Sequence, residues 1–296
     1  MSVMIIGDMH LKSVSPISRK DDYPKAILNK INYLGSIAKG YRCKTIILLG
    51  DVFDSPSTSL PYLASVISTF KKLHDEGYRI ITIAGNHDLK NNRMESLEST
   101  ALGILLSTGY VELAPSELKI ENTLFRFYNY PESIEPKKTD SYEICVAHQY
   151  YEFELGGNDS LTKETVENLN YDAMILGHYH VPCETITIGN TILYRPGSLS
   201  RSTSEMYNKT RIPRALILNT KNHKSMYVDV SCSPADEIFI EKVESNRIGL
   251  SMKDLIQFMT TSYSTSDMDV RDYFNQLEIP YECRCKIARY LDTLGV

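Results

Sequence analysis

Cysteine is sparse in this chain: six in 296 residues, at 43, 145, 183, 232, 283 and 285, with no CxxC pair. That density excludes a disulfide scaffold, and the expectation is reduced thiols in a cytoplasmic protein that is not secreted. Cys283-x-Cys285 has no partner motif, which argues against a soft-metal site there. No apolar run approaches the roughly 18 residues of a membrane span, and with a strand expected at 2–6 no secretory signal is expected ahead of it. Repeats and low-complexity tracts are missing, which excludes solenoids and arrays. An excess of positive charge is missing too. The net charge of −5 argues against a general nucleic-acid binder but leaves a local basic groove open. What remains is ordinary globular composition, 42% hydrophobic and 23% charged. The length suits one large domain plus a small appendage.

The first half alternates strand and helix. Tyr23, Ile27, Ile31, Leu34 and Ala38 recur at helical spacing and predict a helix over 22–39. Leu60, Leu63, Ile67 and Phe70 do the same for 60–75, ahead of a strand at 79–84. This βαβαβ rhythm predicts a parallel-rich sheet with helices on its faces. Hairpins are expected over 117–130, around Glu121-Asn122, and over 184–194, turning at Gly189-Asn190. A helix is expected near 161–169, and strands at 214–219 and 225–230 close the fold. The α/β first part and β-rich second part suit two sheets packed face to face under helices. A boundary is expected near 231–236, giving a domain over 1–230 and an appendage over 231–296. The appendage reads as a strand at 238–243 followed by three short apolar stripes at helical spacing, around 252–259, 270–277 and 287–294.

Five of the seven histidines sit in short polar motifs, each directly after an apolar, β-branched run. These are Asp8-Met9-His10 after VMII, Asp51 in GDVFD after KTIILL, and Asn86-His87-Asp88 after RIITIAG. His148 follows EICVA, and His178 and His180 stand in GHYH after DAMIL. Runs of this kind read as buried strands, so the motifs line up at one rim of a sheet, where open α/β sheets build their sites. Asp8 and His10 are two apart at a strand end and project to the same side, as do His178 and His180. A lone D-x-H is weak evidence, since either pair alone could be satisfied core polar residues. Five blocks in order are not explained that way. Histidine, aspartate and asparagine converging without a thiolate describe a pair of divalent metals held by N and O ligands. No serine or cysteine nucleophile stands in a suggestive motif. His74 and His223 read as surface residues, and Tyr150 and Tyr151 as either packing or a stacking surface for a substrate base.

The five blocks resemble the signature of the calcineurin-like metallophosphoesterases: D-x-H, G-D-x-x-D, G-N-H-D/E, a lone histidine, and G-H-x-H. The likeness covers about residues 1–220. It implies a four-layer α/β/β/α sandwich and two metals. It also implies that Asp8, His10 and His180 hold one ion, that Asn86, His148 and His178 hold the other, and that Asp51 bridges them. One shared carboxylate is what two ions about 3.5–4 Å apart need, and Asp51 falls on the central strand of the expected order. The resemblance further implies that His87 contacts the scissile phosphate or protonates the leaving oxygen, a role that suits an imidazole. Asp54 and Asp88 then read as groups that orient His87, a ligand or a loop. Among metals, Mn2+ is the first expectation, with Mg2+, Fe2+ and Zn2+ left open.

Protein phosphatases of this class continue GDxxD with Arg-Gly and carry GNHE, whereas this chain has GDVFDSPS and GNHD. Three stretches instead resemble the SbcD-type nuclease subunit of double-strand-break repair complexes and its phage relatives: GDVFDSPSTS, VAHQ at 146–149, and RPGSLSR at 195–201 followed by Glu205 and Lys209. Between Arg195 and Arg214 five basic residues face one acid, Glu205. Arg195, Arg201, Lys209 and Arg211 are accordingly expected to meet DNA phosphates, although a solvated loop would read the same way. The resemblance implies a DNA nuclease working with an SbcC-type coiled-coil ATPase, with a homodimer left open and no membrane partner. Only 76 residues follow Thr220, too few for both a full DNA-capping domain and a full ATPase-docking segment. A small-molecule phosphodiesterase of the same fold is the alternative enzyme, and a non-catalytic scaffold the alternative from another class.

Overall fold

Strand and helix alternate from the first residue of the computed structural model, which describes residues 1–152 and 160–240. In chain order the first half holds β1 (Ser2–Ile6), α1 (Tyr23–Gly40), β2 (Cys43–Leu48), α2 (Leu60–Asp75), β3 (Arg79–Thr82), α3 (Ala101–Ser107) and β4 (Glu112–Leu113). Then come β5 (Glu117–Ile120), β6 (Thr123–Tyr128), β7 (Tyr142–Ala147), β8 (Tyr150–Tyr151), β9 (Ser160–Leu161), α4 (Lys163–Leu169) and β10 (Ala173–Leu176). The rest is β11 (Cys183–Ile188), β12 (Thr191–Arg195), α5 (Met206–Thr210), β13 (Arg214–Asn219), β14 (Ser225–Asp229) and α6 (Ala235–Ile238).

Two six-stranded sheets carry the fold, in the orders β14-β13-β1-β2-β3-β4 and β11-β12-β10-β7-β6-β5, and β8 pairs with β9 alone. Strands β1 to β4 are parallel, as are β12, β10, β7 and β6, while the hairpin partners β13, β14, β11 and β5 run antiparallel to their neighbours. The period-two rule sorts β1 cleanly: Val3 and Ile5 join the core between the sheets, and Met4 and Ile6 the core beneath the helices. Phe125, Ile144, Val146 and Ile175 meet Val3, Ile5, Ile47 and Ile81 across the inter-sheet layer. On the outer face of the second sheet, Met174, Leu176 and Leu193 pack with Val166 and Leu169 of α4. The result is the four-layer α/β/β/α sandwich.

Helix α1 shows why these segments form. The Asp22 carboxylate accepts the Lys25 N–H at 3.1 Å, Pro24 occupies the first turn, and Ile27, Ile31, Leu34 and Ala38 make one buried stripe. Differences from expectation sit at boundaries. Strand β3 stops at Thr82 rather than 84, and residues 86–99 form three short 3-10 turns before α3. Ile238 ends a helical turn rather than starting a strand, and both Ile238 and Phe239 are buried. Lys20 donates its N–H to the Ile238 carbonyl at 2.9 Å, so the unit that begins at Met1 runs to Phe239. Residues 241–243, the three apolar stripes and Cys283-x-Cys285 lie outside the described residues. Among the described residues no helix is long and apolar enough to cross a membrane.

Candidate metal centre

Each of the five motifs begins within four residues of the C-terminal end of a parallel strand: β1, β2 and β3 of the first sheet, β7 and β10 of the second. The two sheets therefore deliver side chains to one rim. Backbone bonds pin the loops there. Met9 and His10 both donate to the Asp51 carbonyl at 3.0 Å, and Gly177 donates to Ala147 at 3.0 Å. His10, Asp51 and His178 have φ of 47°, 46° and 77°, a left-handed conformation that costs a non-glycine residue energy and persists where the surroundings impose it. A Cβ on Gly85 would lie 2.2 Å from Asp51 Oδ1, so the glycine of GNHD makes room for that carboxylate.

The ligand atoms gather in two overlapping groups. Asp8, His10, Asp51 and His180 form one, Asp51, His148 and His178 the other, with one ligand atom per residue within 4.8 Å of the rest. His10 Nε2 and His180 Nε2 point at each other across 2.9 Å, and His180 Nε2 stands 3.5 Å from Asp8 Oδ2. His148 Nε2 lies 3.2 Å from Asn86 Oδ1 and 3.3 Å from Asp51 Oδ2. Asp51 belongs to both groups. Its Oδ1 accepts the His87 N–H at 2.9 Å, while Oδ2 is buried with no hydrogen-bond partner, 3.7 Å from His10 Nε2. A buried carboxylate oxygen without a donor is expensive unless a cation completes it. These residues fit a pair of divalent ions.

Carbonyl partners fix the Nδ1 proton of two histidines. His148 Nδ1 lies 2.7 Å from the Leu49 carbonyl and His87 Nδ1 lies 2.8 Å from the Asp54 carbonyl. A carbonyl can only accept, so each Nδ1 donates and each Nε2 faces the site. Without metal charge, burial works against the Asp51 carboxylate, but His148, His87 and His10 around it hold its pKa well below the usual range. Burial likewise opposes charge on His148, and Asp51 beside it outweighs that and raises its pKa to about 9. Burial also disfavours charge on His87, yet Asp51 and Asp54 bring its pKa above the ordinary imidazole value. Burial and the Asp51 charge push Asp88 up to about 7, against three backbone donors.

A family model described as calcineurin-like phosphoesterase matches residues 1–182, more than half of the chain. The chain belongs to that family. It is thereby a metal-dependent phosphoester hydrolase. No curated protein matches it. Solved structures of similar shape include TT1561 of Thermus thermophilus, at 9% identity and TM-score 0.48, covering 78% of this chain and 99% of that one. A novel archaeal phosphodiesterase is 16% identical with TM-score 0.44, covering 77% and 99%. A dimetal phosphatase from Danio rerio is 11% identical with TM-score 0.48, covering 78% and 99%.

The residues expected to support this phosphoesterase's site have definite partners. Asp88 is fully buried and accepts from the backbone N–H groups of Phe53, Gly85 and Val52, tying the GDVFD and GNHD loops together. Asp54 reaches Lys12 Nζ at 2.8 Å and His10 Nδ1 at 3.5 Å. His10, His87 and Asp54 also stand close enough to count as a third group of ligand-type atoms. Tyr150 lies with its ring 3.8 Å from that of His178, and Tyr151 is buried under the Arg195 guanidinium. His74 is exposed; His223 is half-buried, stacked flat on Tyr142 at 3.6 Å, because a turn between β13 and β14 closes over the end of β7. Neither joins the site.

The basic strip does not line up as a row of outward charges. Arg201 is buried, with its guanidinium donating to the carbonyls of Ser233 and Asn208. Arg211 donates to the carbonyls of Ser198 and Ser200 and to Asn208 Oδ1. Both guanidinium groups are thus engaged with the protein's own backbone, which leaves them few donors for phosphate. Arg195 and Lys209 are half-buried. Spacing alone had no signal for these carbonyl contacts, because their acceptors come from loops that only the tertiary fold brings alongside. Lys12 and the Leu49 carbonyl were likewise missed.

Proposed function

We propose that this phosphoesterase is a two-metal-dependent DNA nuclease, similar to the SbcD-type subunit, hydrolysing phosphodiesters and acting with a coiled-coil ATPase. The buried Asp51 Oδ2, set 3.3 Å from His148 Nε2 and 3.7 Å from His10 Nε2 without a hydrogen bond to either, is the observation that carries the two-metal part. Asp8, His10 and His180 would hold one ion, Asn86, His148 and His178 the other, with Asp51 shared. Mn2+ suits open sites of N and O ligands. Bound ions supply Lewis acidity at the phosphoryl oxygens and a nucleophile from water near neutral pH. The chain's own part is positional. Asp51 and Asp8 bring carboxylate charge to the rim, and His148 Nδ1 donates to Leu49 so that Nε2 stays aimed inward. His87, anchored through Nδ1 on the Asp54 carbonyl, keeps Nε2 free to contact the phosphate and, as the imidazolium that Asp51 and Asp54 favour, to give its Nε2 proton to the leaving oxygen and become neutral.

DNA as substrate is favoured by the GDVFDSPSTS, VAHQ and RPGSLSR stretches. One observation favours a second reading, a small-molecule phosphodiesterase: Arg201 and Arg211 are turned into the protein rather than towards a polymer. Incubation with linear, circular and single-stranded DNA, and with bis-p-nitrophenyl phosphate, across Mn2+, Mg2+ and Zn2+ separates them. Cleavage of DNA in Mn2+ is expected, falling roughly 10²–10⁴-fold in His87→Ala while both ions stay bound. Turnover of the small diester with no DNA cleaved in any metal would give the second reading the ground. ATPase docking is proposed for the appendage over 231–296, and loss of co-purification on deleting 266–296, with the shortened chain still folded and metal-bound, is its test; unfolding of the shortened chain would remove it.

A further inference from the structure

Four successive carbonyls in the segment after β12 are capped by basic side chains. Arg211 donates to Ser198 O and Ser200 O, Lys30 Nζ donates to Leu199 O at 3.0 Å, and Arg19 donates to Arg201 O. These cations come from three separate places: the loop before α1, α1 itself, and the residue after α5. Arg19 is balanced by Asp21, with Nε to Oδ1 at 2.6 Å and Nη2 to Oδ2 at 2.7 Å. Burying cations without carboxylate partners is costly, and carbonyl dipoles in a row are a compensating acceptor.

The other side of the same segment holds two metal ligands. Leu199 N–H and Ser198 Oγ donate to the Asp8 carbonyl at 2.8 and 2.9 Å, and Ser198 N–H donates to the His180 carbonyl at 2.9 Å. The approach is close throughout. A Cβ on Gly7 would stand 2.0 Å from the Gly197 carbonyl, and one on Gly197 would stand 2.8 Å from the His180 carbonyl. Asp8 follows β1 of the first sheet and His180 follows β10 of the second, so the segment straps the two sheets together at their shared rim. Asn86, His148 and His178 receive no direct bond from it among the described residues, and the second site meets the strapped one through the His178 N–H, which the Asp8 carboxylate accepts at 3.2 Å. His148 is set by Leu49 instead.

From these contacts we infer that Arg211 and Lys30 are positioning residues for one of the two metal sites, the one made by Asp8, His10 and His180, and that they act through the 198–201 strap. The inference rests on the two-metal reading above. Arg211 caps two carbonyls at once with a rigid fork, so it has the larger effect; Lys30 caps one. Loosening the strap frees the Asp8 and His180 main chains and lowers affinity chiefly at that site, by the roughly 10–100-fold that outer contacts to ligands are worth.

Mn2+ titration of the full chain, followed by calorimetry and by the paramagnetic resonance signal of a coupled ion pair, tests this. Wild-type protein is expected to bind two ions. Arg211→Ala is expected to lose one site's affinity roughly 10–100-fold, with the second weakened far less and the coupled signal replaced by that of a single ion. Lys30→Met should give the same selective loss in smaller measure, and Arg211→Lys should recover part of it. Equal weakening of both sites, or full affinity at both in folded Arg211→Ala and Lys30→Met, overturns the inference while leaving the two-metal reading intact. Wild-type protein that takes up no ion pair overturns both.

Discussion

At the scale of the residue, Asp51 is the atom-level hinge of the site. Both groups of ligands contain it, and its buried Oδ2 stands between His148 Nε2 and His10 Nε2 without a hydrogen bond to either. Asp51→Ala should therefore abolish uptake of both ions, whereas His180→Ala should weaken mainly one, as read by metal content after dialysis. Retention of two ions by Asp51→Ala would remove the bridge. Lys30 supports a second prediction. Burial, assisted by Arg201, Arg211 and Arg19 and opposed by Cys232, depresses its pKa to about 7. Between pH 7 and its unfolded value the unfolded chain binds the extra proton, so this residue's contribution to stability rises with pH. The slope is at most about 1.4 kcal/mol per pH unit. His148, with its pKa raised to about 9, works in the opposite sense as pH rises, and Cys43, raised to about 11, does so above pH 9. The comparison is therefore wild type minus Lys30→Met, by urea melts from pH 7 to 9. The difference should grow in favour of wild type with pH; a flat difference would mean Lys30 is ordinarily solvated.

At the scale of the element, the layers separate packing from chemistry. Ile31 is fully buried in the stripe of α1 against the first sheet, on the far side from the second sheet. Ile31→Ala should lower unfolding free energy by roughly 2–5 kcal/mol in denaturant titration while leaving metal affinity in place. Elements of this kind were legible in the sequence because their signal is local: the helical stripes of α1 and α2, the hairpin β5–β6, and the Gly189-Asn190 turn between β11 and β12 all appear within two or three residues of expectation. The strand-end motifs were legible for the same reason, a fixed spacing after a β-branched run. Arg201 and Arg211 were not, since a run of cations reads alike whether it faces solvent or caps carbonyls brought from elsewhere. The 3-10 turns over 86–99 lack the periodicity that would announce them. His223 read as a surface residue because nothing local pairs a turn with Tyr142 of another sheet.

At the scale of the whole molecule, the site exists only where two sheets meet. Asp8, His10, Asp51 and Asn86 come from the first, His148, His178 and His180 from the second, and the inter-sheet core of Val3, Ile47, Phe125 and Val146 sets their separation. Ions bound across that seam favour the folded state. Mn2+ at a hundred times its dissociation constant should raise stability by about 2.7 kcal/mol per independent site, seen as a concentration-dependent rise in melting temperature that Asp51→Ala lacks. The central claim, a phosphodiester hydrolase that works through an Asp51-bridged metal pair, is tested most directly by one titration. Chelator-stripped protein is supplied with bis-p-nitrophenyl phosphate, and turnover is followed as Mn2+ is returned. The account predicts no turnover at first and a rise that saturates at two ions per chain. Undiminished turnover in excess chelator would contradict it.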